Sequence, residues 1–130
     1  MRTSVIALPA LPLIFVASDA IIGRPEPAPS PYVVGIRRKG PSWKADLDNP
    51  EGRRMIQAHG VVIRKMEATG KLIAAGPFGD PDDLRGLLLF RNCTIEEARR
   101  MASEDPVVQS GQITIEYHTW MAQLKLKAGE

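Results

Sequence analysis

The sequence has little of the residue types that most often build metal and redox sites. Cys93 is the only cysteine among 130 residues, and His59 and His118 are the only histidines. One cysteine allows no intramolecular disulfide, and two histidines without a cysteine partner argue against a zinc site. The formal net charge is only +2, which is too small to indicate a nucleic-acid partner. We therefore expect neither a metal ion nor a nucleic acid.

The N-terminus contains the one long apolar run, and it resembles an export signal. Arg2 precedes the mostly apolar residues 5–17, and small residues follow up to Ala20. The run is shorter than the roughly 20 apolar residues of a membrane helix, and Pro9 and Pro12 interrupt it. We expect cleavage after Ala20 and no stable membrane span. The protein would then be periplasmic or secreted, and otherwise cytoplasmic; an uncleaved tail and a start codon placed too far upstream are the alternatives.

The rest of the chain has room for one domain with a single core. Prolines at every second position from 25 to 31 favour an extended spacer, because proline supports neither a helix interior nor a sheet ladder. The predicted organisation is a signal peptide over 1–20, a proline-rich linker over 21–31, a domain over 32–122 and a C-terminal tail over 123–130.

Two helices are predicted from their capping signals. Asn49 precedes Pro50, and apolar spacing carries the first helix to Gly70. The capping box that begins at Thr94 starts the second, which we expect to end near Asp105-Pro106. Strands are predicted where β-branched and apolar residues cluster between turn residues: Tyr32 to Arg38, Lys71 to Phe78, Gly86 to Arg91 and Gln112 to Trp120.

This β-α-β-β-α-β order predicts an α+β fold of the ferredoxin-like type, with a four-stranded antiparallel sheet and both helices on one face. The second and third strands are apolar on both faces. In the second, we expect Leu72, Ala74 and Phe78 to lie opposite Ile73 and Ala75. Since two helices cover only one face of the sheet, we predict a homodimer that packs sheet against sheet.

His59 is the most informative single residue. It falls on the apolar stripe of the first helix with Val62 and Met66. A buried imidazole there has to be hydrogen-bonded or used in chemistry. Two interpretations remain: a catalytic histidine, or a core histidine satisfied by a backbone carbonyl or by Asp105.

Four fragments follow one another along the predicted domain: YVVGIRRKGPSW, AHGVVIRKMEATGKLIAAGPFGD, LRGLLLFRNCTIEEARRMASEDPVVQSGQI and IEYHTW. In this order they resemble the YCII-related, or YciI-like, family over residues 32 to 120. The resemblance implies a dimeric ferredoxin-like α+β barrel and an active-site pair of a helix histidine and an Asp-Pro aspartate, which fall on His59 and Asp105. One branch of that family is associated with dehydrochlorination of chlorinated hydroxyquinols, and related barrels include lactone isomerases.

A His-Asp pair transfers protons near neutral pH and requires no cofactor, because the carboxylate fixes the imidazole tautomer and stabilises its charged form. The resemblance therefore implies a lyase or isomerase type of enzyme that acts on a small acidic or phenolic ring compound. Arg37, Arg38 or Arg85 could hold an anionic oxygen of the substrate, although arginines at strand ends are usually solvated. His118 is a further candidate for the pocket or the dimer seam.

Two other functions remain open. The same cleft could hold a small ligand in a non-catalytic, dimeric binding module, in which the histidine contributes affinity and no product forms. The dimer could also be an assembly accessory, in which the space around the histidine is filled.

Overall fold

The computed structural model describes residues 4–12 and 30–124. The predicted cleavage site and most of the linker lie outside this part of the chain. Within the described residues, four strands and three helices follow one another: β1 (Ser30–Lys39), α1 (Pro50–Ala68), β2 (Leu72–Pro77), β3 (Leu84–Arg91), α2 (Ile95–Ala102), α3 (Pro106–Gln109) and β4 (Ile113–Ala122). Neighbouring strands are antiparallel, in the order β2-β3-β1-β4. The predicted ferredoxin-like α+β fold is confirmed.

Local signals in the sequence account for the two long helices. Asn49 caps α1, with its side chain accepting a hydrogen bond from the amide of Gly52 at 2.8 Å, and Pro50 takes the first helical position. Gly70 follows the helix with φ of 73°, a left-handed conformation that glycine adopts without strain. Thr94 caps α2 by accepting from the amide of Glu97 at 3.1 Å. Both helices therefore begin at the capping residues that the sequence indicates, and α1 ends just before Gly70.

The prediction for the end of the second helix was wrong. α2 ends at Ala102, and Asp105 begins a further helix of four residues, α3. The Asp105 side chain accepts a hydrogen bond from the amide of Val107 at 3.0 Å, and Pro106 takes the first helical position. Asp105-Pro106 thus acts as Asn49-Pro50 does, as the start of a helix.

The predicted faces of β2 were also partly wrong. The pairing of β2 with β3 shifts register between Leu72 and Ala74, so that Ile73 lies in a bulge. Leu72 pairs with Phe90, whereas Ala74 pairs with Leu89, and neighbouring residues of β3 face opposite sides of the sheet. The bulge therefore places Leu72 and Ala74 on different faces, which simple alternation does not predict.

The helices cover one face of the sheet and form the core there. Phe90 and Leu88 of β3 are the largest fully buried side chains. They pack in one cluster with Val62 and Met66 of α1 and with Ala98 of α2. No helix in residues 4–12 and 30–124 has both the length and the apolar character needed to cross a bilayer.

The other face of the sheet carries no helix in the described part of the chain. Val34 of β1 and Leu89 of β3 are paired there, next to the pair Ile36 and Leu87. All four side chains are partly exposed. We call these four residues, together with Trp120 of β4, the open face. Trp120 is 47% exposed and lies against Tyr32.

Candidate active site

His59 and Asp105 are joined by a short hydrogen bond between side chains. Nδ1 of His59 lies 2.6 Å from Oδ2 of Asp105. The side chains are 20% and 5% exposed, respectively. The contact bridges 46 residues of sequence and links the middle of α1 to the start of α3. The two residues that the family resemblance pairs are therefore in contact; a catalytic role for them stays a prediction.

Asp105 is held by both of its carboxylate oxygens. While Oδ2 contacts His59, Oδ1 accepts the amide hydrogen of Val107 at 3.0 Å. This second bond is the cap of α3, so the helix start fixes the direction of the carboxylate. A buried carboxylate with two directed partners has little freedom to move. The fold therefore sets the position of His59 through Asp105.

The hydrogen bond also selects the histidine tautomer. An ionised carboxylate only accepts hydrogen bonds, so Nδ1 of His59 carries the hydrogen. In the neutral ring, Nε2 then holds the free lone pair. Within residues 4–12 and 30–124, no group hydrogen-bonds to this Nε2 atom. His59 thus offers a proton acceptor at the less buried end of the pair.

Arg37 lies on β1, on the face of the sheet that the helices cover. It lies two residues beyond Gly35 on the helix-covered face and pairs across the sheet with Gly86. A side chain at Gly86 would come within 3.4 Å of the Arg37 guanidinium and 2.7 Å of the carbonyl oxygen of Gly76. The approach to the Gly76 backbone is the one that requires glycine at this position, since the distance to Arg37 is an ordinary contact. Burial lowers the pKa of Arg37, which the carboxylate of Asp105 opposes and the guanidinium of Arg85 reinforces.

Arg85 is close to Arg37 but is held by other groups. Its Nη1 lies 3.3 Å from each of the backbone carbonyls of Asp80 and Asp82, in the turn between β2 and β3. The guanidinium also lies over the ring of Trp43, 5.2 Å from its centre. Lys39 approaches the same ring, at 5.8 Å. Arg85 therefore places a positive charge beside the turn between β2 and β3. Some of its N–H groups are already hydrogen-bonded to the backbone of that turn.

The loop that carries Trp43 is fixed by a residue the sequence analysis did not select. Gln112 is a buried polar residue whose side-chain oxygen accepts the amide hydrogen of Lys44 at 2.8 Å. Its backbone carbonyl accepts from the amide of Gly40, also at 2.8 Å. A glutamine at the start of a predicted strand gives no sequence signal for this role, because its partner lies 68 residues away. Gln112 thus holds the loop that follows β1 through two hydrogen bonds, one to its side chain and one to its backbone carbonyl.

His118 is not brought to His59. Ile115 and Tyr117 of β4 pack against the core, so alternation places His118 and Glu116 on the opposite side of the sheet. There Nε2 of His118 lies 2.6 Å from the Glu116 carboxylate, and Nε of Arg38 lies 3.2 Å from the same group. Both contacts lower the pKa of Glu116, the contact with His118 more strongly. His118 and Arg38 therefore belong to a charged cluster beside the open face.

The fold and the family model together define the class of protein. The chain belongs to the YCII-related domain family, whose model matches residues 33–120. A search of curated proteins found no match. Among solved structures, the chain resembles 5-chloro-2-hydroxyhydroquinone dehydrochlorinase from Burkholderia phenoliruptrix, in complex with 2,5-dihydroxybenzoquinone, with 18% identity and a TM-score of 0.50 over 68% of this chain and 92% of that one. At this identity the likeness shows the shared fold.

The fold is also similar to that of a de novo designed protein, Ferredog-Diesel. The two share 15% identity and a TM-score of 0.44, over 73% of this chain and 90% of the designed chain.

Proposed function

We propose that this protein is a cofactor-independent acid/base enzyme of the lyase or isomerase type, which acts on a small acidic or phenolic ring compound. The observation that carries the proposal is the contact of 2.6 Å between His59 and Asp105, with the carboxylate buried and the imidazole partly exposed. A carboxylate in this position orients the ring and stabilises the imidazolium that forms when Nε2 takes a proton. General acid/base catalysis of this kind contributes roughly 100- to 10,000-fold to a rate.

Membership of the YCII-related family and the dehydrochlorinase of similar fold indicate which reaction to test first. In a dehydrochlorination, the substrate would first tautomerise, so that one ring hydroxyl becomes a carbonyl and its proton is replaced by a hydrogen on the carbon that carries chlorine. Nε2 of His59 would then take the proton of a second hydroxyl, whose electron pair forms the second carbonyl, shifts the neighbouring double bond and expels chloride. Two hydroxyl protons leave and one is placed on carbon, so that the net loss is one proton and one chloride ion and neither an oxidant nor a reductant is consumed. An isomerase would use the same nitrogen to move a proton between two carbons.

A positive group beside the base would help to hold such a substrate. Arg37 and Arg85 are both at this end of the sheet, and the pKa of Arg37 responds to the charges of Asp105 and Arg85. A guanidinium binds a carboxylate or a phenolate through directed hydrogen bonds. We propose that the substrate oxygen lies between these arginines and His59. His118, on the other side of the sheet, would reach a ligand only through contacts made by the open face.

The same proposal includes a homodimer formed through the open face. Val34, Ile36, Leu87 and Leu89 are apolar, belong to the two central strands and face away from the helices. Burial of apolar surface contributes about 25 cal/mol per Å². A second copy of the chain offers a matching apolar sheet, and a two-fold axis lets the same residues meet one another.

The experiment that tests the enzyme proposal is release of chloride from 5-chloro-2-hydroxyhydroquinone. Wild-type protein should release chloride, and His59→Gln should lower the rate by about 100-fold or more. Arg54→Gln, at an exposed position of the same helix, is the matched control and should behave as wild type. If the wild type binds the compound and neither chloride nor an isomerised product forms, the site only binds its ligand and the enzyme proposal is wrong.

A further inference from the structure

A groove lies along the outer edge of β4, beside α2 and α3. Its volume of about 380 Å³ is within the range of small-molecule sites. Among the described residues, neither His59 nor Asp105 lines it. We call this space the β4 groove, and it is separate from the candidate active site. The side chains that matter for its chemistry come from all three elements or their ends: Arg99, Ser103, Val108, Ile113, Ile115 and Tyr117.

One side of the β4 groove is an apolar row on a single strand. Ile113, Ile115 and Tyr117 alternate along β4 and therefore share the face that the helices cover. At about 3.3 Å per residue the row spans roughly 13 Å. Gly35 of β1 pairs with Tyr117, and a side chain at Gly35 would come within 3.1 Å of Ile115 and 3.5 Å of the Tyr117 ring. Glycine at this position therefore leaves the room in which the row packs against the sheet.

The other side is held in place by hydrogen bonds between α2 and α3. Nε2 of Gln109 donates to the backbone carbonyl of Ser103 at 2.9 Å, which ties the end of α2 to α3. The Ser103 hydroxyl donates to the carbonyl of Arg100 at 2.6 Å. Val108 of α3 adds an apolar side chain to this wall. The groove is therefore built by contacts within the protein, and the hydroxyl hydrogen of Ser103 is already used.

Arg99 is the one charged side chain among the described residues that line the β4 groove. Its guanidinium lies over the ring of Tyr117, 5.4 Å from the ring centre. Within residues 4–12 and 30–124, neither Arg99 nor the Tyr117 hydroxyl makes a hydrogen bond or an ion pair. Burial raises the pKa of Tyr117 and Arg99 opposes this shift, so that the hydroxyl stays protonated at neutral pH and can donate. The end of the groove at Tyr117 thus has two kinds of donor and no negative charge.

From this arrangement we propose that the β4 groove is a second binding site, which takes a small aliphatic carboxylate. The carboxylate accepts hydrogen bonds from the Arg99 guanidinium and the Tyr117 hydroxyl, and the alkyl chain extends along the row toward Ile113. A linear chain covers an apolar row of about 13 Å along its length, and its burial there is favourable. The anion also offsets the one charge of the lining. This proposal goes beyond the proposed function and does not depend on it.

The test is calorimetric titration of the full chain at neutral pH with three probes: octanoate, butanoate and octylammonium. Octanoate should bind the wild type at least about 10-fold more tightly than butanoate, because a longer chain buries more CH₂ groups in the groove. Octylammonium has the same chain with the opposite charge, and should bind at least about 10-fold more weakly than octanoate. Equal binding of octanoate and octylammonium would overturn the proposal.

Substitution of Arg99 tests the source of this charge preference. Arg99→Met should weaken octanoate binding by about 5- to 20-fold, a factor between those of exposed and buried charged contacts, and should remove the preference over octylammonium. Arg100→Met deletes the same charge at the next, exposed position of α2, which does not line the groove, and should bind octanoate as the wild type does. Wild-type affinity for octanoate in Arg99→Met would contradict the proposal.

Methyl resonances locate the bound chain. Octanoate should shift the methyl signals of Ile113 and Ile115 and leave that of Ile36, on the open face, unchanged. Ser103→Phe places a ring in the groove from an exposed position at the end of α2, and should weaken octanoate binding at least about 10-fold. Shifts confined to Ile36, or wild-type affinity in a folded Ser103→Phe protein, would overturn the proposal.

The β4 groove and the enzyme proposal fail separately. His59→Gln should bind octanoate with wild-type affinity, because His59 does not line the groove. Arg99→Met should release chloride at the wild-type rate if the wild type does so. Loss of octanoate binding in His59→Gln would place the ligand at the candidate active site and overturn the second site.

Discussion

Nδ1 of His59 on α1 lies 2.6 Å from Oδ2 of Asp105 at the start of α3. The carboxylate that orients the imidazole is also the group that caps α3. The two roles use different oxygens. Substitutions at Asp105 can therefore remove one role and keep the other.

Asp105→Asn should separate stability from turnover. Asparagine caps helices about as well as aspartate, so we expect a loss of about 1 kcal/mol or less in the free energy of unfolding. Without the negative charge the imidazolium is no longer stabilised, and turnover should fall by about 100-fold or more. Urea unfolding and chloride release, measured on the same preparation, test both statements.

Asp105→Ala is the matched variant in which both roles are lost. Loss of the cap costs about 1 kcal/mol, and a buried N–H of His59 left without its partner costs about 1–3 kcal/mol more. We expect a total loss of about 2–4 kcal/mol in the free energy of unfolding. An Asp105→Ala variant as stable as the wild type would show that the contacts of this carboxylate contribute little to the fold.

Gln112→Ala should loosen the loop between β1 and α1. The buried side chain accepts the amide of Lys44, and its removal should cost about 1–3 kcal/mol of folding free energy. Hydrogen exchange at the Lys44 amide should become faster. Gln109→Ala, at an exposed position on α3, is the control and should leave that amide protected. Unchanged exchange in Gln112→Ala would mean that other contacts hold the loop.

Glu116 should make stability depend on pH in the acid range. Its pKa lies below the ordinary value of 4.5, because His118 and then Arg38 hydrogen-bond to its charged form. The unfolded chain takes up this proton at a higher pH than the folded chain, so the contribution is present above pH 4.5 and is lost as the pH falls through the lowered pKa. Urea unfolding of wild type and Glu116→Gln should therefore differ near neutral pH and converge in acid. A difference that stays constant down to about pH 3 would contradict this assignment.

Val34→Glu should dissociate the proposed homodimer. Val34 is paired with Leu89 in the middle of the open face, where a buried carboxylate would meet its own symmetry mate. Sedimentation equilibrium should show a dimer for the wild type and a monomer for the variant. Val61→Glu makes the same change at a helix position that is 57% exposed, and should remain dimeric. A wild-type protein that sediments as a monomer would remove the dimer from the account.

Sequence patterns predicted the elements of this fold because most of them carry local signals. Asn49 and Thr94 cap helices, and β-branched runs mark the strands, so the order of strands and long helices follows from neighbours in the chain. The sequence patterns did not predict α3, because a helix of four residues is too short to show the repeat of apolar residues that marks a helix. Yet Asp105-Pro106 repeats the start signal of Asn49-Pro50, and this similarity could have indicated a helix.

The candidate site was harder to predict, because its geometry depends on residues far apart in the chain. The bulge at Ile73 has no local marker and changes which side chains share a face. Gln112 is a neutral side chain whose importance arises only from burial and a partner 68 residues away. Arg37 and Arg85 appear equivalent in the sequence. Only the structure distinguishes Arg85, which is hydrogen-bonded to carbonyl groups of the turn, from Arg37, which lies on the helix-covered face.

The most direct test of the central claim is the tautomer of His59, measured by long-range proton and nitrogen-15 correlation in the folded protein. If Asp105 orients His59 as a base, the neutral ring should carry its hydrogen on Nδ1 and leave Nε2 unprotonated, and Asp105→Asn should disturb this preference. A neutral ring in wild type with its hydrogen on Nε2 would contradict the account, because the nitrogen assigned to remove the substrate proton would then have no lone pair to accept it.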